Sequence, residues 1–208
     1  MKNSGTVVYI VDDDVSICRA LSLLLKSHGF KVQAFTRAAG FLAFKHPRLP
    51  SCLVLDIYLP TVNGFALQEA MAQRGIATPI IFITGHGDIP MSVKAMKAGA
   101  IDFLPKPFTE KKLLDAVTQA ILKSKTQNKK QTEIAKIKRC IKNLSPRELE
   151  VFHFVAKGML NKQIASKRGT SLQTIKVHRA RVMQKMQAKT VTELINLAQR
   201  AGIIAPQR

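Results

Sequence analysis

Five short runs of β-branched and aromatic residues recur through the first 120 residues: "TVVYIV" (6–11), "KVQAF" (31–35), "CLVLD" (52–56), "PIIFIT" (79–84) and "IDFLP" (101–105). The stretches between them carry apolar residues at helical spacing. Ile17, Leu21, Leu24 and Leu25 fall at i, i+4, i+7 and i+8, and Leu113, Val117 and Ile121 at i, i+4 and i+8. Strands alternating with helices predict an α/β domain with a parallel sheet covered on both faces. The run at 31–35 is the least apolar, which predicts an edge strand. In sheets of this kind the reactive crevice lies beyond the carboxyl ends of the strands.

Carboxylates sit at those ends. Asp12 and Asp13 follow the first strand, and Asp56 ends the third. If strands one and three are neighbours, the three side chains converge. Converging carboxylates repel unless a cation compensates them. A hard divalent cation such as Mg²⁺, which takes one or two carboxylates plus waters, suits the site. Thr84 ends the fourth strand with a hydroxyl, and Lys106 follows the fifth with an ammonium. A phosphoryl group on Asp56 needs donors of that kind. Lys106 precedes Pro107, so a cis peptide bond can aim it into the crevice. Asp14 opens a helix, where it can serve as a cap or as outer support for a metal.

Residues 5–122 resemble the receiver domain of bacterial two-component response regulators. The resemblance rests on Asp12 and Asp13, on Asp56 in "LVLDIYLP", on Thr84, and on Lys106 in "KPF". The stretch 83–108 is especially similar to the FixJ branch. The resemblance implies a flavodoxin-like, doubly wound five-stranded sheet and a phosphoacceptor role for Asp56. Thr84, Lys106 and the aromatic Phe103 are then switch residues. Mg²⁺ is held by Asp12, Asp13, Asp56 and the backbone carbonyl of Tyr58. Tyr58 stands where the branch more often has Arg or another polar residue. Its ring, and His86 nearby, are expected to alter the lifetime of the acyl phosphate.

Residues 123–143 are polar and basic and contain neither Gly nor Pro. Ile134, Ile137 and Ile141 recur at i, i+3 and i+7, which predicts a partly helical linker. It can extend the preceding helix or form a short coiled-coil contact. From 144 onward the pattern is helical only. Ser145, Pro146 and Glu148 form a capping box with Pro at the first helical position, and Leu144 and Leu149 form a hydrophobic staple. Gly158 ends that helix. A short helix follows, capped by Asn161 and stopped by Gly169. A third begins at Ser171, and "TVTELINLAQRAG" is a fourth.

Charge follows this division. Residues 1–120 hold 13 Lys+Arg against 9 Asp+Glu, residues 121–143 hold 8 against 1, and residues 144–208 hold 12 against 3. The basic excess of the last two-fifths points to a polyanion. On the third helix Ile175, Val182 and Met186 share an inward face, flanked by His178 and Met183. Lys176, Val177, Ala180, Arg181 and Gln184 face away, with cations and small groups suited to a major groove. Lys162, Lys167, Arg179 and Lys185 are candidates for phosphates, and His178 is read as structural. Residues 144–201 resemble the LuxR-type four-helix helix-turn-helix domain. "KRGTS" replaces the more usual "ELGIS" and adds positive charge beside the reading helix.

The expected organisation is a receiver at 1–122, a linker at 123–143 and a DNA-binding domain at 144–208. The implied function is transcription control by a cytoplasmic response regulator. A sensor histidine kinase phosphorylates Asp56, homodimers form, and double-stranded DNA is bound. Activation through RNA polymerase is the expected output. The alternative is a phosphorylation-independent DNA-binding regulator that keeps its receiver only for dimerisation. Enzymatic activity beyond slow self-dephosphorylation is not expected. No apolar run reaches membrane-spanning length, and the N-terminus lacks a signal-peptide pattern. Cys18, Cys52 and Cys140 have no metal-ligand spacing.

Overall fold

The structure is a computed structural model that describes residues 5–85 and 89–205. The chain forms two compact units, Met1–Lys129 and Lys130–Arg208. Among the described residues no helix is long and apolar enough to cross a membrane.

The first unit contains β1 (Val7–Val11), β2 (Lys31–Phe35), β3 (Ser51–Asp56), β4 (Ile80–Thr84) and β5 (Asp102–Pro105). All pair in parallel, in the order β2-β1-β3-β4-β5. The five runs therefore fold as read, and the least apolar of them, at 31–35, takes an edge. Side chains alternate across the sheet. Val8, Ile10, Cys52, Val54, Ile81 and Ile83 point to one face, covered by α1 (Val15–Ser27) and the first part of α5 (Glu110–Lys142). Tyr9, Val11, Leu53, Leu55 and Phe82 point to the other. There they meet residues of α2 (Ala38–Ala43), α3 (Gly64–Gln73) and α4 (Ile89–Lys97). Both faces being covered explains why β1, β3 and β4 are apolar throughout rather than alternating. Each fully buried Leu or Ile contributes about 1.5–3 kcal/mol relative to exposure.

Strand order sets the crevice. Consecutive connections leave β1 in opposite directions, to β2 on one side and β3 on the other, so a cleft opens beyond the ends of β1 and β3. Asp12 follows β1, Asp56 ends β3 and Thr84 ends β4. Asp14 is the N-cap of α1: its carboxylate accepts from the Ser16 and Ile17 N–H groups at 2.7 and 3.3 Å. The Lys106–Pro107 bond is cis.

Helix α5 runs unbroken through the segment read as a linker. Its start contributes Leu113, Val117 and Ile121 to the first unit's core. Its end contributes Ile137 to the second.

The second unit adds α6 (Pro146–Ala156), α7 (Asn161–Arg168), α8 (Leu172–Met186) and α9 (Val191–Arg200). The capping box of α6 is formed: Glu148 accepts from Ser145 N–H at 2.8 Å, and Glu148 N–H donates to the Ser145 hydroxyl. Gly169 adopts the left-handed conformation that ends α7, with φ 58°. Ser171 caps α8 by accepting from Thr174 N–H at 3.0 Å. The expected Asn161 cap is not one. Leu160 holds the cap position, and the Gln163 side chain accepts its N–H at 2.8 Å. Asn161 turns its side-chain oxygen to Arg179 instead. The core is built on Phe152, Val155, Ile164, Ile175, Val182, Met186, Leu194 and Ala198.

Candidate functional site

Asp12, Asp13 and Asp56 come together as the strand order requires. One carboxylate oxygen from each lies within 4.8 Å of the others. Asp12 is 1% exposed and Asp56 7%, whereas Asp13 is open to solvent. Lys106 enters from the end of β5. Its Nζ donates to Asp12 Oδ2 at 2.8 Å and stands 3.7 Å from Asp56 Oδ2. The other Asp12 oxygen accepts from Asp14 N–H at 2.9 Å. Asp56 Oδ1 is buried and, among the described residues, has no hydrogen-bond partner.

Such a carboxylate is costly to ionise. Burial pushes the Asp56 carboxyl above its ordinary value, and the Asp12 charge adds to this. Lys106 and the N–H groups of Ile57 and Tyr58 pull the other way. One ammonium against three carboxylates leaves the crevice negative. Its donor set is all oxygen, which is what a hard divalent cation selects. The orphaned Asp56 oxygen has room in its bonding for one more positive partner. The residues present therefore fit Mg²⁺.

Thr84 is fully buried at the end of β4, and its carbonyl accepts from Lys106 N–H at 2.7 Å. Phe103 lies opposite Phe82 in the sheet register and is half-buried against the α3 and α4 side. Tyr58 is 50% exposed, just past Asp56. His86 lies outside the described residues.

Sequence reasoning missed Gly64. A Cβ there would meet the Asp56 carbonyl oxygen at 2.8 Å and Ile57 Cα at 3.0 Å. Only glycine lets α3 start this close to β3, where Gly64 N–H donates to Ile57 O at 2.8 Å. The Asn63–Gly64 pair was a visible turn signal.

In the second unit Ile175, Val182 and Met186 of α8 are buried, and His178 and Met183 are half-buried. Lys176, Val177, Ala180, Arg181 and Gln184 are all exposed, in agreement with the helical phase read from the sequence. Lys162 and Lys167 of α7 are exposed, and Lys167 Nζ lies 5.3 Å from the centre of the Phe154 ring. Two of the cations expected at phosphates have partners within the unit. Lys185, expected at a phosphate, donates to Glu148 Oε2 at 2.6 Å and to Asn143 O at 3.3 Å. Glu148 is 3% exposed, so a buried carboxylate claims that ammonium. Hydrogen bonding from Lys185, then from Ser145 N–H, pulls the Glu148 carboxyl down to about 2. Arg179 is half-buried and donates to Asn161 Oδ1.

Comparison with known proteins agrees with both units. Residues 8–118 match the response regulator receiver domain family. Residues 142–198 match the bacterial regulatory proteins of the luxR family. Nodulation protein W of Bradyrhizobium diazoefficiens is 45% identical over 203 residues, covering 98% of this chain and 89% of that protein. Transcriptional regulatory protein FixJ of the same organism is 39% identical over 197 residues, covering 95% and 96%. Among solved structures, response regulator StyR is 41% identical with a TM-score of 0.81, covering 95% of this chain and 100% of that one. With three carboxylates and a lysine at the carboxyl edge of a parallel sheet in one unit, and a cationic helix-turn-helix in the other, the chain belongs to the response regulators that join a receiver domain to a LuxR-type DNA-binding domain.

Proposed function

We propose that this is a cytoplasmic, phosphorylation-controlled transcription regulator whose receiver spans 1–122 and whose DNA-binding domain spans 144–208. The observation that carries the reading is the convergence of Asp12, Asp13 and Asp56, with the Lys106 ammonium bonded to Asp12 and 3.7 Å from Asp56. A sensor histidine kinase, or a small acyl phosphate, donates the phosphoryl group to Asp56. Asp12, Asp13, Asp56 and the Tyr58 carbonyl hold Mg²⁺, which supplies charge compensation when bound. The Asp56 carboxylate is the nucleophile and loses its negative charge in the new bond, while the phosphoryl group brings more charge than it replaces. Lys106 and the Thr84 hydroxyl are the donors at hand for its oxygens. Drawing Thr84 toward the phosphoryl group frees space beside β4, and Phe103 follows it.

The surface that changes includes α4, where Ile89, Val93 and Met96 are exposed at 80%, 45% and 49%. An apolar patch of this kind suits pairing of two receivers. Paired receivers would set two α8 helices on paired half-sites. Lys176, Arg181 and Gln184 read base edges there, with Val177 and Ala180 as close apolar contacts. Lys162 and Lys167 take phosphates, with Arg179 at their margin. Lys185 is left out because Glu148 holds it. Activation through RNA polymerase is the output proposed.

Selection of bound DNA from a random pool, with and without acetyl phosphate and Mg²⁺, tests the reading. A mass gain on Asp56, tighter binding and paired half-sites are expected. Asp56→Asn removes the phosphate-dependent gain and keeps basal, salt-sensitive binding. No mass gain on Asp56 would favour a receiver used only for pairing.

A further inference from the structure

The segment read as a linker is more than a connector in charge. Between 121 and 143 eight cations face one acid, Glu133. That acid pairs with Arg200 of α9, so it does not compensate its own helix. Three of the cations, Lys138, Arg139 and Lys142, lie in the last turns of α5 and belong to the second unit. All three are exposed. Arg139 and Lys142 occupy the side of the helix turned away from Ile137 and Ile141, the residues that dock α5 on the second core, and Lys138 lies on the flank of that docking face. Among the described residues none of the three makes an ion pair.

Their position relative to the reading helix is fixed by Lys185. Its ammonium donates to the carbonyl of Asn143, the residue after α5 ends, and to buried Glu148. Lys185 lies next to Gln184 and one turn beyond Arg181 on α8. The last turn of α5 therefore stands beside the carboxyl-terminal half of the reading helix. In the complex proposed, a duplex whose major groove holds α8 would run its phosphates past that point.

We propose that Lys138, Arg139 and Lys142 form a clamp on the DNA backbone, binding phosphates outside the groove that α8 occupies. The inference rests on the reading of α8 as the DNA-reading helix. The clamp adds affinity without sequence choice, because phosphates carry no sequence information. A different reading gives the same cations only a local task, since positive charge near a helix C-terminus complements the helix dipole. The two differ in what they move: a dipole partner changes thermal stability, whereas a phosphate contact changes the salt dependence of binding.

The test uses the full chain and a mixed-sequence duplex about 30 base pairs long, roughly three helical turns. Affinity is measured across a salt series for wild type, for the triple variant Lys138→Gln, Arg139→Gln, Lys142→Gln, and for a charge-matched control. The control, Lys26→Gln, Lys31→Gln, Lys45→Gln, removes three exposed cations from the receiver. Glutamine is a good helix former, so α5 is retained. Each phosphate contact contributes about 0.9 to the slope of log affinity against log salt. The clamp variant is expected to lose about 2–3 from that slope, with selected and mixed-sequence DNA weakened by the same factor. The control keeps the wild-type slope. An unchanged slope in the clamp variant, or an equal loss in the control, overturns the clamp while leaving the DNA-binding function intact. A wild type that binds no duplex in a salt-dependent way overturns the DNA-binding reading and the clamp with it.

Discussion

Lys106 donates to Asp12 at 2.8 Å across 94 positions of chain. The same ammonium reaches Asp56 at 3.7 Å. One cation thus serves two buried carboxylates, while Asp13 remains in solvent. The arrangement holds the crevice together yet leaves it short of positive charge. It is also a lever. Any added cation relaxes the claim of Asp12 on Lys106, and any phosphoryl group on Asp56 competes for it.

The shortfall predicts a stabilising substitution. Asp56 has a raised folded carboxyl value, so its contribution to stability is present below the ordinary carboxylate value and is lost as pH rises through the folded one. At neutral pH the ionised group is a net load. Asp56→Asn is expected to stabilise the first unit by about 1–3 kcal/mol in metal-free buffer near pH 7. The gain shrinks as pH falls toward the ordinary carboxylate value, where wild type is protonated too. Thermal unfolding at the two pH values checks this. A variant less stable than wild type at neutral pH would mean that Lys106 already compensates Asp56 fully.

Gly64 predicts a steric penalty next to the same residue. The atoms a Cβ would meet are the Asp56 carbonyl oxygen and Ile57 Cα, and backbone cannot swing aside as a long side chain can. Gly64→Ala is expected to cost about 1–3 kcal/mol and to slow the mass gain of Asp56 from acetyl phosphate. Wild-type stability with a wild-type rate would show that α3 can move back without disturbing β3.

Glu148 ties three elements of the second unit: the start of α6 through Ser145, the end of α8 through Lys185, and through that lysine the end of α5. Its carboxyl is held near 2, below its ordinary value. The stability it contributes is present above the ordinary value and is lost as pH falls from about 4.5 toward 2. Glu148→Gln is expected to lower stability by about 2 kcal/mol at neutral pH, from the weakened cap and the lost charge-assisted bond. It also flattens the acid limb of unfolding in that window. Circular dichroism during acid titration of both proteins reads the difference.

The first unit was legible because each strand is a short apolar run bounded by turn residues, and a buried parallel sheet needs only that. The acid crevice was legible because its members stand at strand ends. The phase of α8 followed from Ile175, Val182 and Met186 alone. The pairing of Lys185 was not legible, because helical phase locates a side chain on a face but does not say which neighbour reaches it. Its partner, Glu148, sits 37 positions away. Glu148 itself was read as a cap residue, with nothing local to mark its second role. Asn161 was misread for a similar reason: as a side chain it suits a helix start, yet Gln163 supplies the cap and Arg179 takes the Asn161 oxygen. Gly64 was visible as a turn residue, but the reason it must be glycine is a contact with another strand.

The exposed row on α8 and the cations of α7 predict different failures on DNA. Arg181 projects from the outward face one turn before Lys185, where a guanidinium can bond a guanine edge through two donors. Arg181→Ala is expected to cost about 1–3 kcal/mol on the selected sequence and to relax preference at one base position. Lys162 lies on α7, off the reading helix, and its ammonium suits a phosphate. Lys162→Ala is expected to weaken all sequences alike and to lower the salt slope by about 0.9. Lys185→Ala should do neither: the salt slope holds, and the second unit unfolds at lower temperature because Glu148 loses its cation. Binding measured on selected and scrambled duplexes over a salt series separates the three. A salt slope that drops for Lys185→Ala as it does for Lys162→Ala would return Lys185 to the DNA interface and show that Glu148 releases it on binding.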